Sequence, residues 1–544
     1  MRLRATVPLG CASLALILAF TAAPAAAQQA QKWVTTWAAS SQGPYPAGYP
    51  SAGQPDLLLA FPSPELGASD QTFRLIVHPD IWGERARLRF SNAFGTKPVT
   101  FDHTYAGLQM SSASVVPGTN RAVTFGGRSS LILPPGAVAW SDPIALPFVH
   151  GSGADLAGRK LSVSFHIAGE SGPMTWHAEA LTTSYLAPPQ SGARGQAEDE
   201  GAFTFSTTSW FFLDAVDVTA PADTRVIVAF GDSLTDGAGS TFNGDDRWSN
   251  DLARRLHAAY GSRVTVVNAG ITGNEVAGPA EYSPQKPFPG GPSAAQRVER
   301  DVLSLSGVST IIWLEGINDF RQNDGAVVDA VEASMKEVIA RAHTRLPDAQ
   351  VLGATLPSAL SATPTAQESA ADANRQALND FVRNSRVFDG VVDFDKATLD
   401  PQTGSLMADL AADAASSGLG SYLHPNRAGH LAMANAVDLH RIAPTQSTGQ
   451  VLGVQSPPIP PAPQPKPAML EARPQPKPPA AHHVMTPIRP APAPPAIVAA
   501  PAPPAPPPAA VVVNRPLYAR PNECWSEDGY GRWSPCGSAG GGGD

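Results

Sequence analysis

The sequence predicts a parallel, three-layer α/β domain preceded by a β-sandwich or jelly-roll-like module. Five apolar runs, Arg225 to Phe230, Val264 to Val267, Thr310 to Leu314, Gln350 to Ala354 and Val391 to Phe394, read as buried strands. Helical stretches alternate with them: Trp248 to Tyr260, Ser293 to Leu303, Ala326 to Thr344, Thr365 to Arg383 and Arg427 to Ala443. Upstream, from Gln31 to Asp217, short alternating segments are separated by Gly, Pro, Ser and Asn, with no long helical period.

The N-terminus comes first. Arg2 and Arg4 precede an apolar run from Val7 to Ala23, then Pro24 and the small residues Ala25 to Ala27. This is the layout of a secretory signal peptide over residues 1–27. Cys11 lies inside the run, so a mature chain keeps Cys524 and Cys536, and an oxidising compartment allows a bridge between them. The expected location is therefore secreted or periplasmic.

In residues 31–217, Thr72 to Val77, Arg85 to Phe90, Arg121 to Phe125, Ser129 to Leu133, Lys160 to Ile167 and Ser209 to Val216 read as strands. Arg87, Leu88, Arg89 and Phe90 alternate at period two, as a half-buried strand requires. Trp37, Trp82 and Trp176 have the chemistry to stack on sugar rings, although core packing is the more ordinary role. The α/β region spans residues 224–443. Residues 444–520 are rich in Pro and Ala, which suits an extended spacer better than a core. Residues 521–544 form a small segment in which Trp525, Tyr530 and Trp533 lie between the two cysteines. The formal charge of -9 gives no general attraction for nucleic acid.

Polar constellations follow the apolar runs of the α/β region. Gly231-Asp232-Ser233-Leu234 follows the first, Gly270-Ile271-Thr272-Gly273-Asn274 the second, and Gly316-Ile317-Asn318-Asp319 the third. Leu423-His424-Pro425-Asn426 precedes the last helix. A serine on a tight strand-to-helix turn, exposed amides, a side-chain amide and an imidazole are the parts of nucleophilic acyl transfer. Open parallel sheets place their ligands beyond the carboxyl ends of the strands.

These motifs resemble the GDSL, or SGNH, hydrolase superfamily of esterases and lipases over roughly residues 224–440. Upstream, Thr36-Trp37-Ala38-Ala39 and Leu88 to Thr96 resemble the N-terminal β module of some secreted bacterial members. The resemblance implies a flavodoxin-like hydrolase domain and an acyl-serine mechanism. Ser233 would be the nucleophile and His424 its base, with Ser233, Gly273 and Asn318 forming the oxyanion hole. Asp232 would support the nucleophile turn. The family usually carries an acid three residues before the histidine; here that position is Ser421. Ser421 could orient the imidazole without a negative charge, and Asp409 or Asp413 could supply a displaced carboxylate.

No cofactor is implied: the Gly231–Gly239 stretch lacks a complete dinucleotide or phosphate-loop pattern. Asp245, Asp246, Asp319, His424 and His430 do not form a standard metal motif. The sequence thus predicts a serine esterase for short-acyl or carbohydrate esters. Its alternatives are a lipase or lysophospholipase, or a catalytically impaired carbohydrate- or envelope-binding protein. An acylated carbohydrate or a lipid is the expected partner, with envelope association through the Pro-rich tail and no nucleic acid.

Overall fold

The computed structural model describes residues 30–50, 53–279, 281–321, 327–361, 363–412 and 422–442, together with two C-terminal strands. The expected signal peptide, the Pro/Ala-rich segment, Ser421, Asp413, Cys524 and Cys536 lie outside these residues. No disulfide is present among the described residues.

The β region contains β1 (Gln31–Ala38), β2 (Ser69–Val77), β3 (Arg85–Ser91), β4 (Val99–Ser111), β5 (Leu161–Glu170) and β6 (Leu213–Pro221). One antiparallel sheet runs β1-β6-β3 and a second is centred on β2-β5-β4. The sheets meet across phenylalanine rings. Phe165 stacks on its cross-strand neighbour Phe73 at 5.1 Å between centroids, and Phe90 of the first sheet meets it edge-on at 5.2 Å. Burying each such ring contributes about 1.5–3 kcal/mol. Trp37, Trp82 and Trp176 are all buried. Trp37 packs edge-on against Trp210, while the Trp82 and Trp176 indole N–H groups donate to Leu156 O and Ala47 O. These three tryptophans are core residues and present no stacking platform.

Five parallel strands follow: β7 (Arg225–Gly231), β8 (Val264–Gly270), β9 (Val308–Leu314), β10 (Gln350–Ala354) and β11 (Gly390–Val392). Their order is β8-β7-β9-β10-β11, so the direction of winding reverses beside β7. The helices are α1 (Ser233–Asp236), α2 (Trp248–Tyr260), α3 (Ala294–Val298), α4 (Ile317–Arg321), α5 (Val328–Arg345), α6 (Ala366–Asn384), α7 (Phe394–Thr398) and α8 (Arg427–Ala436). Right-handed crossovers place α2 on one face and α3, α5 and α6 on the other. Packing agrees, since α2 meets α8, whereas α5 meets both α3 and α6.

The two regions share one contiguous set of buried apolar residues. Polar contacts reinforce the junction: Thr35 N–H donates to Ser306 O at 3.0 Å, Val266 N–H donates to Asp80 Oδ2 at 2.6 Å, and Arg300 donates to Ser41 O at 2.8 Å. The described chain up to Ile442 falls within one compact unit. At the C-terminus, β12 (Trp525–Gly529) and β13 (Arg532–Pro535) pair as a two-stranded sheet. No helix among the described residues is long and apolar enough to cross a membrane.

Candidate active site

β7 ends at Gly231, where the chain passes so close to Leu314 that an added Cβ would lie 2.0 Å from its carbonyl oxygen. Only glycine fits that crossing. The chain then turns into α1, with Asp232 as its N-cap and Asp232 Oδ1 accepting from Leu234 N–H at 3.0 Å. This cap presents Ser233 at the first helical position, directly beyond the strand. Asp232 is fully buried, and its carboxyl is held well above the ordinary range by burial and then by the neighbouring charge of Glu315.

His424 reaches Ser233 from a distant loop. Ala412 N–H donates to His424 O at 2.9 Å, and Asn426 Nδ2 donates to Asp409 O and Ala411 O at 2.9 Å each. Asn426 also caps α8 by accepting from Gly429 N–H at 3.0 Å. So anchored, His424 Nε2 lies 2.9 Å from Ser233 Oγ. With Nε2 unprotonated, it accepts the serine hydroxyl proton. Asp409 is exposed and contributes its carbonyl to this loop.

The second and third motifs meet each other. Gly273 adopts φ +80, and the Tyr49 ring lies against it, 2.4 Å from where a Cβ would stand. Asn318, at the start of α4, donates from Nδ2 to Asn274 O at 2.9 Å. The next residue, Asp319, accepts from Val276 N–H and Ala277 N–H at 2.9 Å each. Burial nevertheless pushes its carboxyl up to about 7, against those hydrogen bonds. Asn318 and Asp319 thus fasten the Gly273–Ala277 turn at the same sheet edge that carries Ser233.

Residues 229–432 match the GDSL-like Lipase/Acylhydrolase family. They form a GDSL-type lipase/acylhydrolase domain. Among solved structures, the chain is similar to LAE5, an alpha/beta hydrolase enzyme from the metagenome of Lake Arreo, Spain. That likeness has 24% identity and a TM-score of 0.30, covering 39% of this chain and 92% of that one. It is also similar to Est24, a carbohydrate acetylesterase from Sinorhizobium meliloti, at 13% identity and a TM-score of 0.30, over 39% of this chain and 96% of that one. The aryl esterase of M. smegmatis gives 15% identity and a TM-score of 0.30, over 39% and 96%. No curated protein matches the chain.

The GDSL-type domain also contains a central residue that no sequence motif singles out. Arg297 is completely buried, and its guanidinium fans out beneath the strand ends. Nε donates to Asn274 Oδ1 at 2.5 Å, Nη1 to Ala269 O at 2.8 Å and Nη2 to Gly231 O at 2.7 Å. Asp301 and Glu315 stand 3.4 and 3.5 Å away, and Phe230 lies under the guanidinium at 4.3 Å. One side chain therefore fixes the ends of β7 and β8 and the turn that Asn318 also holds. An arginine in an apparently exposed helical run offers no signal for this burial.

The acidic and histidine residues of this region are dispersed among other partners. Asp245 pairs with Lys160 at 3.0 Å and His78 at 3.4 Å. Asp246 accepts from Thr241 N–H at 2.8 Å. His430 accepts from Trp248 N–H at Nδ1 and faces Ala238 O through Nε2, each at 3.3 Å.

Proposed function

We propose that the protein is a serine carboxylic-ester hydrolase with a flavodoxin-like SGNH domain, acting on short-acyl or carbohydrate esters. The reading rests on the 2.9 Å contact between Ser233 Oγ and His424 Nε2 at the carboxyl edge of the parallel sheet. In the first half-reaction, Ser233 Oγ attacks the ester carbonyl carbon while its proton passes to His424 Nε2. The Ser233 and Gly273 amides and Asn318 Nδ2 donate to the resulting oxyanion. Collapse breaks the ester C–O bond, and the departing alcohol takes the proton from His424. Water then attacks the acyl-serine with His424 as base, releasing the acid and restoring the Ser233 hydroxyl. Tyr49 crowding Gly273 supports a small acyl group. The N-terminal basic and apolar run supports secretion or a periplasmic location, and the Pro-rich segment supports an envelope tether.

The test is turnover of p-nitrophenyl esters from acetyl to long acyl, with serine-directed labelling of wild type and Ser233→Ala in parallel. Ser233-dependent turnover favouring acetyl supports the reading. Equal activity in the two proteins removes it. Asn318→Ala is expected to lower kcat by about 10²–10³-fold, or about 2.7–4 kcal/mol of transition-state stabilisation. Steady-state kinetics on the acetyl ester provide the check.

The pH profile has a distinct expectation. His424 is pushed down to about 3, first by burial and then by the positive charges of Arg321 and His430. The folded imidazole therefore remains neutral far below the ordinary histidine value of about 6.5. Consequently kcat/KM should show no rising limb centred near pH 6.5, but should fall only in strong acid. Measurement from pH 4 to 7 decides this; a limb at the ordinary histidine value contradicts the assignment.

A further inference from the structure

A buried cluster behind Gly273 draws on both regions of the chain. Asp236 ends α1, three residues after Ser233, and Thr272 immediately precedes Gly273. Asp236 Oδ2 accepts from Thr272 N–H at 2.8 Å and lies 3.0 Å from Thr272 Oγ1. The same hydroxyl is in hydrogen-bond contact with Glu179 Oε2, from the β region. His177 Nε2 lies 3.2 Å from Asp236 Oδ1, while His177 Nδ1 donates to Ser40 O at 2.6 Å. His177, Glu179 and Asp236 are all at least nine-tenths buried.

Counting protons determines how this cluster works. Thr272 Oγ1 has one hydrogen but makes two contacts with carboxyl oxygens, so one carboxyl must supply the second hydrogen. Asp236 already accepts from the Thr272 amide and faces the ring of His177, which suits the anion. Glu179 then donates its proton to Thr272 Oγ1, whose own hydrogen points to Asp236 Oδ2. The His177 ring uses Nδ1–H on Ser40, so its approach to Asp236 is favourable when Nε2 is also protonated.

We propose that Glu179 and His177 are positioning residues of the hydrolase site, coupling the Gly273 turn to the Ser233 helix through Thr272 and Asp236 with a shared carboxyl proton. This rests on the ester-hydrolase reading above. The β region thereby acts on catalysis without touching substrate. Burial raises Glu179 to about 8, with Asp236 adding to the rise and the Thr272 hydrogen bond, Arg247 and His177 opposing it. Burial disfavours the charged form of His177, but Asp236 outweighs it and holds the ring above its ordinary value. Arg247 joins the cluster from the start of α2, donating to Asp236 O and Ala180 O. A cavity of about 60 Å³ borders it, with His78, Asp80 and Asp245 also on its wall.

The experiment compares the full chain with Glu179→Gln and Glu179→Ala on p-nitrophenyl acetate from pH 5 to 9.5, alongside labelling of Ser233 and thermal unfolding. Glu179→Ala should lower kcat by about 10- to 100-fold with little change in KM, the scale expected for misplaced reacting groups. Glu179→Gln keeps a donor toward Thr272 and should rescue most of that loss. Wild-type kcat should decline as pH rises through about 8, whereas Glu179→Gln should lose this limb. The linkage sign is the same for stability: the folded state retains the Glu179 proton more tightly than the unfolded chain, so wild-type Tm falls as pH rises toward 8. Glu179→Gln should make that decline shallower, while the raised carboxyls of Asp232 and Asp319 keep their own share of it. A labelled, active wild type whose alkaline kcat limb persists, and whose Tm slope is undiminished, in Glu179→Gln overturns the proposal alone. Absent Ser233 labelling, with equal turnover in wild type and Ser233→Ala, overturns the hydrolase reading and the positioning role together.

Discussion

Ser233→Ala is expected to lower kcat by at least about 10⁴-fold while leaving the fold intact. On the proposed reading, the substitution removes the attacking atom and leaves the rest of the sheet edge unchanged. Loss of the hydrogen bond to His424 costs about 1 kcal/mol of stability, within reach of a thermal-unfolding comparison. His424→Ala should be similarly severe, because an unassisted serine hydroxyl is a poor nucleophile near neutrality. The double substitution then decides whether the two residues form a catalytic unit. Its kcat should fall no further than that of the more damaged single variant, since the second change removes a partner of an absent function. Independent, multiplicative losses would mean that the 2.9 Å contact does not represent a nucleophile and its base.

Much of this site was legible because its residues follow strongly patterned elements. Trp248 to Tyr260 reads as a helix with the bounds of α2, where buried Leu252 and Leu256 share a helical face. Ser233, Gly273 and Asn318 each lie just after a parallel strand, so their local sequence shows where the fold places them. By contrast, β4 has no clear period-two pattern. Its alternation is interrupted around His103, where φ is +42 and the pairing with β5 shifts register. Ser293 to Leu303 reads as one helix, but the structure changes at Glu299–Leu303 from α to π winding. Arg427 to Ala443 likewise reads as continuous, whereas α8 ends at Ala436 and a separate turn covers Leu439–Ile442. Glu179 and Arg297 were less legible still. Their roles depend on partners far away in sequence, and neither pattern nor spacing records those contacts.

Arg297→Met is expected to destabilise the protein by about 3–5 kcal/mol, the usual scale for breaking a buried ionic network from one side. Methionine occupies part of the apolar space over Phe230, but supplies none of the three hydrogen bonds to Asn274, Ala269 and Gly231. It also removes the positive charge beside Asp301 and Glu315. Burial already raises the Glu315 carboxyl despite Arg297, and losing the cation favours the protonated acid further. The folded-state affinity for that proton then exceeds the unfolded-state affinity, so this part of the penalty shrinks as pH falls and grows toward alkaline pH. Thermal unfolding at pH 5 and pH 8 should therefore show the larger Tm deficit at pH 8. Arg297→Lys should restore only part of the loss, because an ammonium cannot reproduce the guanidinium fork around three separated acceptors. A lysine variant with wild-type Tm and kcat would show that positive charge alone suffices. A deficient lysine variant would instead locate the contribution in the directional bonds joining the two strand ends to the Asn274 turn.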